Sequence, residues 1–219
     1  GIFNDFRDKY FFDFPEKLFL NYNPIIEKSD IPKFHSKPDH PFYKENNNIL
    51  ISIGRLTSEK GFLELLAIFS KLVQKFNFRN CKLIIIGEGE DYNKITNFIS
   101  LNSLENFVDI ISFNDDFERF LFFSDTFVCN SIYEGFNNNI VHALNMGIYV
   151  VSKDCDFGPR EILIDKTYGH LVKSDDELET ILLKRLGQKN VFNEYGFRRS
   201  LDFLCNKSSD NLEKIINGV

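Results

Sequence analysis

The 219-residue chain has no tryptophan and no surplus of positive charge: 26 lysines and arginines stand against 32 aspartates and glutamates, a formal net charge of −6. A general nucleic-acid binder carries a basic excess, so no nucleic-acid partner is expected, and any anionic ligand has to be held by a local group of cations. Cysteine is sparse. Cys81, Cys129, Cys155 and Cys205 form no CxxC pair, and none stands at metal-ligand spacing from a histidine. Free thiols in a reducing compartment are therefore expected, not a disulfide framework or a zinc site. No apolar run is long enough to span a bilayer and there is no signal peptide, which leads to the expectation of a cytoplasmic protein. Two nucleotide motifs are also missing. There is no GxGxxG followed by an acidic residue at dinucleotide spacing, and no GxxxxGK[ST] phosphate loop.

What the chain has is 43% hydrophobic residues, 25 of its residues being phenylalanine, enough for one good-sized α/β domain with extensions. Apolar runs and helical periodicities alternate from Asn48 onward. Strands are expected at 49–54, 81–87, 108–112, 126–129, 148–152 and 170–172. Helices are expected at 62–76, 91–101, 115–123, after 137 to about 147, 159–164 and 175–186, with a last amphipathic stretch at 211–216. Leu83-Ile84-Ile85-Ile86 is the continuous run of a strand buried on both faces. Phe62, Leu65, Leu66, Phe69, Leu72, Val73 and Phe76 follow the i, i+3, i+4, i+7 template of a helix. Five or six strand–helix alternations with short connections predict a Rossmann-like, doubly wound parallel sheet. The remaining chain divides around it. Residues 1–22 are strongly apolar, with a short strand expected at 17–22; residues 23–48 have linker composition; 49–189 form the sheet domain; 190–219 form a C-terminal helical segment.

Ligands in such sheets bind beyond the C-terminal strand ends. Three loops there carry chemistry. Gly54-Arg55-Leu56-Thr57-Ser58-Glu59-Lys60-Gly61 offers a planar guanidinium and a mobile ammonium to phosphate oxygens, although both would equally suit a solvated surface loop. Gly87-Glu88-Gly89 permits close backbone approach by a ligand, and a plain tight turn explains it as well. In Ser131-Ile132-Tyr133-Glu134-Gly135-Phe136-Asn137-Asn138-Asn139, Gly135 suits a tight turn and the asparagines suit a helix start. The first turn of that helix presents N–H groups and the positive end of a dipole to an anion. Glu134 precedes it, and His142 lies one turn inside on the face of Asn138.

Taken in order, Asn23-Pro24, Gly54-Arg55-Leu56 with Glu59-Lys60-Gly61, Ile86-Gly87-Glu88-Gly89, Glu134-Gly135-Phe136 with Gly147, and Gly158-Pro159-Arg160-Glu161 resemble the C-terminal half of retaining glycosyltransferases of the GT-B fold. The similarity is to the bacterial family that builds lipopolysaccharide and capsule, and it runs from about Leu18 to Leu186. The resemblance implies a donor domain for a hexose carried on UDP or GDP, with a glycan or glycolipid acceptor and no cofactor or metal. Arg55 and Lys60 would hold the donor diphosphate, and Glu134 would lie near the donor sugar, these three being the catalytic set. Gly54, Gly87, Glu88 and Ile111 would border the nucleoside, and the backbone of Gly135, Phe136, Asn137 and Asn138 would meet the phosphates. Two positions depart from the family pattern. Asn137 stands where proline is usual, and His142 stands where a second glutamate is expected to bind the ribose hydroxyls. The acceptor side would belong to an N-terminal domain of which residues 1–22 are the tail, and contact with the cytoplasmic face of the inner membrane would run through that domain. A non-catalytic nucleotide-sugar-binding or scaffold subunit is the alternative, and His142 is its motivation. An epimerase of similar fold ranks last, because no carboxylate and histidine set for epimerisation is evident.

Overall fold

A computed structural model describes residues 21–27, 36–114, 116–155, 157–164 and 167–217, with no side chains described from 215 onward. The apolar stretch 1–20, most of the strand expected at 17–22, residues 28–35 of the stretch with linker composition and Asp115 at the start of the helix expected at 115–123 lie outside the described residues. The described residues form one six-stranded parallel sheet in the order β3-β2-β1-β4-β5-β6. Its strands are β1 (Asn48–Ile53), β2 (Cys81–Ile86), β3 (Val108–Ile111), β4 (Thr126–Cys129), β5 (Tyr149–Lys153) and β6 (His170–Val172). The helices are α1 (Pro41–Lys44), α2 (Phe62–Gln74), α3 (Tyr92–Leu101), α4 (Phe117–Phe122), α5 (Asn138–Asn145), α6 (Pro159–Leu163), α7 (Asp175–Arg185), α8 (Glu194–Ser200) and α9 (Cys205–Asn217). The Rossmann-like architecture is therefore as expected. No helix among the described residues is long and apolar enough to cross a membrane.

The two-residue period of a strand sends alternate side chains to opposite faces, and the core divides accordingly. Ile49, Ile51, Ile53, Ile84, Ile86 and Phe127 pack with α5, α6 and Phe203 on one face. Leu50, Leu83, Ile85, Val128 and Val151 pack with α2, α3 and α7 on the other. Burial on both faces explains why the strands read as continuous apolar runs. Helix boundaries follow local chemistry. Ser174 caps α7 by accepting from the Glu177 amide, with Asp175, Asp176 and Glu177 in its first turn and Lys184 and Arg185 in its last, the arrangement the helix dipole favours. Gly147, at φ +64°, follows the end of α5.

The stretch with linker composition contributes to the packing. Tyr43 in α1 is buried, and its hydroxyl bonds Ser124 (2.9 Å) and the Phe120 carbonyl (3.1 Å). Residues 21–27 run beside the C-terminal segment: Ile26 bridges Leu204, the Ile25 amide donates to the Phe203 carbonyl, and the Ser208 hydroxyl donates to Tyr22. Buried Arg199 donates to the carbonyls of Glu161 and Ile162 at the end of α6 and pairs with Asp202 at 2.9 Å. Helix α9 begins at Cys205, six residues before the amphipathic stretch that the sequence marks. Cys81, Cys129 and Cys155 are free and buried, and burial raises all three thiols, Cys155 to about 11.

Asp125, the residue before β4, joins the start of β1 to the C-terminal segment. Its carboxylate accepts from the amides of Ile49 (2.8 Å) and Asn190 (2.9 Å) and is buried. Asp125→Ala leaves both amides without that acceptor. The expected loss is about 2–4 kcal/mol, read as a lower urea midpoint at unchanged slope. Asp125→Asn, which keeps one acceptor oxygen, should lose less. An alanine variant as stable as the parent would show that water replaces these bonds.

Candidate functional site

The sheet order reverses direction at β1, where β2 lies on one side and β4 on the other. The loops leaving β1 and β4 diverge there, which is the general position for ligands in doubly wound sheets. Hydrogen bonds tie the loops into one rim. Gly54 N donates to Ile86 O, Leu56 N to Glu88 O, Gly87 N to Ile111 O, and Ile132 N to Glu59 O, at 2.7–3.0 Å. Asn130 donates to the Gly61 carbonyl and Asn139 to the Ile53 carbonyl, both at 3.0 Å. Two glycines let the backbones approach this closely. A Cβ on Gly87 would lie 1.9 Å from the Gly54 carbonyl oxygen, and one on Gly61, at φ +64°, would lie 2.3 Å from the Asn130 carbonyl oxygen.

The rim encloses a cleft of about 340 Å³ lined by Ile53, Gly54, Arg55, Gly87, Glu88, Phe113 and Asn139. That volume is at the small end of the range for small-molecule sites. Its lining includes a cation: the Arg55 side chain is 78% exposed and lies 3.8 Å from Glu59. It also includes an aromatic ring: exposed Phe113 stacks on Phe117, ring centroids 5.2 Å apart. Asn139 brings the first turn of α5 to the same wall.

Lys60 takes a different position from Arg55. Its ammonium is 2.7 Å from Glu134 Oε1, and the two side chains are 18% and 7% exposed. The same oxygen accepts from the Ser131 hydroxyl (2.6 Å) and the Asn137 amide (2.8 Å). Asn137 also caps α5, its side-chain oxygen accepting from Ile140 N at 3.3 Å. The turn differs from the sequence expectation in one respect. The left-handed residue is Asn137, at φ +66°, and a Cβ on Gly135 would meet nothing within 4 Å. Asparagine tolerates that conformation better than most residues because its short polar side chain bonds locally, as it does here. Beneath the turn, Cys129 is buried, and burial first, then the Glu134 charge, raises its thiol.

The sequence candidates thus divide into three groups. Gly54, Arg55, Gly87 and Glu88 line the cleft. Lys60, Glu134 and Asn137 are bonded together beside it, with Gly135, Phe136 and Asn138 on the same turn, and Phe136 packs against Phe203 and Tyr22. Ile111 packs against the core and gives its carbonyl to Gly87, whereas Phe113, two residues on, faces the cleft. His142 sits behind the aromatic pair, with Nδ1 2.9 Å from Glu118 Oε1 and Phe117 edge-on to its ring. Phe113, Glu118, Ser131 and Asn139 were not among the candidates. An aromatic residue in a polar loop after a strand was a readable signal for Phe113. Nothing in one sequence pairs Glu118 with His142, 24 residues apart. Among the described residues no cluster of three or more His, Cys, Asp or Glu is arranged to hold a metal.

The family model described as "Glycosyl transferases group 1" matches residues 34–196. An uncharacterized glycosyltransferase of Methanocaldococcus jannaschii is 37% identical over 140 residues, which is 61% of this chain and 34% of that protein. Among solved structures, the apo form of the lipopolysaccharide outer core galactosyltransferase WaaB superposes with a TM-score of 0.72 at 19% identity, covering 93% of this chain and 56% of that one. HepE of Anabaena, in complex with UDP, superposes at 0.69 with 20% identity over 80% of this chain and 50% of that one. The chain spans between about a third and just over half of the length of these three proteins.

The burial of the Lys60–Glu134 pair makes a stability prediction independent of any ligand. Lys60→Ala leaves a carboxylate nine-tenths buried without its cation, and the expected cost is about 3 kcal/mol. Lys60→Met combined with Glu134→Gln should cost less, since no charge is then left unpaired. Urea unfolding of the three proteins checks both, and equal midpoints throughout would show that the pair is not coupled to the fold.

Proposed function

The chain belongs to the glycosyl transferases of group 1, as the Rossmann-like nucleotide-sugar-binding domain of a GT-B enzyme, and from that premise we propose that the whole protein transfers a hexose, with retention, from UDP-hexose, or its GDP counterpart, to a surface glycan or glycolipid. The cleft beside the β1 and β4 loops takes the donor. Arg55 and Lys60 bind the diphosphate, joined by backbone N–H groups of the turn Gly135, Phe136, Asn137 and Asn138 at the start of α5. The nucleoside lies along Gly54, Gly87 and Glu88, with its base toward Phe113 near Ile111. His142 contributes to the ribose end, and Glu134 lies at the sugar end. Bond cleavage at the anomeric carbon puts negative charge on the departing diphosphate, and fixed cations and amide dipoles stabilise that charge as it develops.

The observation that carries this reading is the convergence in one cleft of an exposed guanidinium, a glycine-bounded backbone rim, an aromatic wall and the first turn of α5. The bound UDP in the HepE structure and the galactosyl transfer named for WaaB support the choice of donor. Their greater length, and that of the archaeal relative, supports an acceptor-binding domain outside residues 49–189. Residues 1–22 are then the tail of that domain and 23–48 the connection, with 190–219 packing back alongside; the Ile26–Leu204 bridge is consistent with this.

A second reading, a nucleotide-sugar-binding or scaffold subunit that does not catalyse transfer, is motivated by His142. It predicts no transfer by the whole protein until His142→Glu is introduced. The catalytic reading predicts transfer by the natural form.

Titration calorimetry with UDP and GDP tests the site in the chain itself. One of the two should bind, and Arg55→Ala should weaken it roughly tenfold or more, the size of a lost charged hydrogen bond. Folded protein that binds neither nucleotide overturns the donor site. Binding unaffected by Arg55→Ala removes Arg55 from it.

A further inference from the structure

Three aromatic rings from distant parts of the chain meet at the turn that leads into α5. Phe136, in that turn, has Tyr22 at 5.9 Å and Phe203 at 5.4 Å between ring centroids, and Tyr22 and Phe203 stand edge-on 5.1 Å apart. At these separations and tilts aromatic pairs attract by more than the area they bury. The trio is itself held in place. Phe203 is fully buried, and its carbonyl accepts from the amides of Ile25 and Ile26 at 3.0 and 3.1 Å. The Tyr22 carbonyl accepts from the Ser208 hydroxyl at 2.9 Å. The Arg199 guanidinium lies 4.8 Å from the Phe203 ring centroid and 5.6 Å from that of Tyr22 while it donates to the carbonyls of Glu161 and Ile162.

The turn needs such an anchor. Glu134 is bonded to Lys60, Ser131 and Asn137, and the Asn137 side chain caps α5. Between these fixed points the backbone N–H groups of Gly135, Phe136 and Asn137 have no recorded acceptor among the described residues. Gly135 is exposed, and a Cβ there would meet nothing within 4 Å, so packing does not confine its backbone. Consecutive unbonded amides suit an anion, and they serve one well only when the peptide planes are already set. Phe136 is the residue that sets them. Its ring is gripped by Tyr22 and Phe203, and its carbonyl lies against the next loop, where a Cβ on Gly158 would come within 2.7 Å of the oxygen.

We propose that Tyr22 and Phe203 are positioning residues for the diphosphate: by clamping the Phe136 ring they keep the amides of Gly135, Phe136 and Asn137 aimed at phosphate oxygens. Neither residue touches the ligand. Donor affinity is thereby set partly by two segments that flank the sheet domain, 21–27 and the stretch after α8. The inference rests on the donor reading of the cleft and deepens it.

The test measures UDP and GDP affinity by calorimetry on the full 219-residue chain, with circular dichroism to verify folding. Tyr22→Ala should weaken the nucleotide that binds by about tenfold, the equivalent of one lost charge-assisted hydrogen bond. Tyr22→Phe, which keeps the ring, should bind as the natural chain does. Phe203→Leu should weaken binding in the same direction as Tyr22→Ala. Asp125→Asn, which lowers stability away from the turn, should leave affinity unchanged and so separates positioning from a general loss of stability. If Tyr22→Ala binds as tightly as the natural chain, or if Tyr22→Phe or Asp125→Asn weakens binding as much as Tyr22→Ala does, the proposal is overturned while the donor site stands. Should Tyr22→Ala not fold, Tyr22→Leu decides by the same comparison. Failure of both nucleotides to bind the natural chain overturns the donor site and this inference with it.

Discussion

The contact on which the site depends is the buried bond between Lys60 and Glu134. It joins the loop leaving β1 to the loop leaving β4, the two connections that a doubly wound sheet sends in opposite directions. Diverging loops leave a crevice, and something has to fix its width. Here a charge pair does so, supported by Ile132 N on the Glu59 carbonyl and Asn130 on the Gly61 carbonyl. A pair this far from water is costly to break, because either partner left alone is an uncompensated buried charge. The same contact makes the turn before α5 rigid. Asn137 holds the carboxylate with its amide nitrogen and caps the helix with its amide oxygen, so ion pair, turn and helix start are one hydrogen-bonded unit. A change at any member therefore displaces the others, and the amide-rich end of α5 is aimed by a salt bridge whose carboxylate lies four residues before the helix begins.

The sheet was readable because a parallel sheet covered on both faces imposes continuous apolar runs, and β4 and β6 have the spans that the sequence marks. Helix α5 was readable from its polar start and from Gly147 at its end. What could not be read depended on contacts distant in sequence or on side chains that substitute for a more familiar residue. Gly135 looked like the residue that turns the chain, but Asn137 takes the left-handed conformation because its side chain is paid back by three local partners, Ile140 N, Glu134 and Cys129. Tyr43 sits in a stretch of proline, asparagine and charge, and its burial follows from Ser124 and Phe120 some 80 residues away. Helix α9 extends over polar residues from Cys205 that carry no apolar period, because its start is set by the Cys205 amide donating to Ile26.

The site residues divide along the same line. Loop glycines and cations were readable because their types are unusual at strand ends. Their partners were not. Arg55 and Lys60 look equivalent in sequence, yet one extends into solvent and the other is tied to a carboxylate. The difference comes from distance to β4: Lys60 is next to Gly61, whose missing side chain lets Asn130 close on the backbone and brings the Glu134 turn within reach.

On the proposed reading this asymmetry resolves an apparent conflict. A diphosphate entering the cleft approaches a buried carboxylate of its own sign, in a chain whose net charge is already −6. Two like unit charges 4 Å apart in a medium of effective dielectric 20 repel by about 4 kcal/mol, so an uncompensated Glu134 would oppose binding strongly. Its charge is not uncompensated. Three donors converge on Oε1, one of them cationic. An ammonium has three N–H donors and Glu134 engages one of them, so Lys60 can turn the remaining two to phosphate oxygens without leaving the carboxylate. Ser131 and Asn137 continue to hold Glu134 as the positive charge is shared. Arg55, with no partner closer than 3.8 Å among the described residues, is then the cation free to follow the diphosphate as charge builds on it. One cation fixed and one mobile is a division of labour that two surface charges, or two buried ones, could not provide.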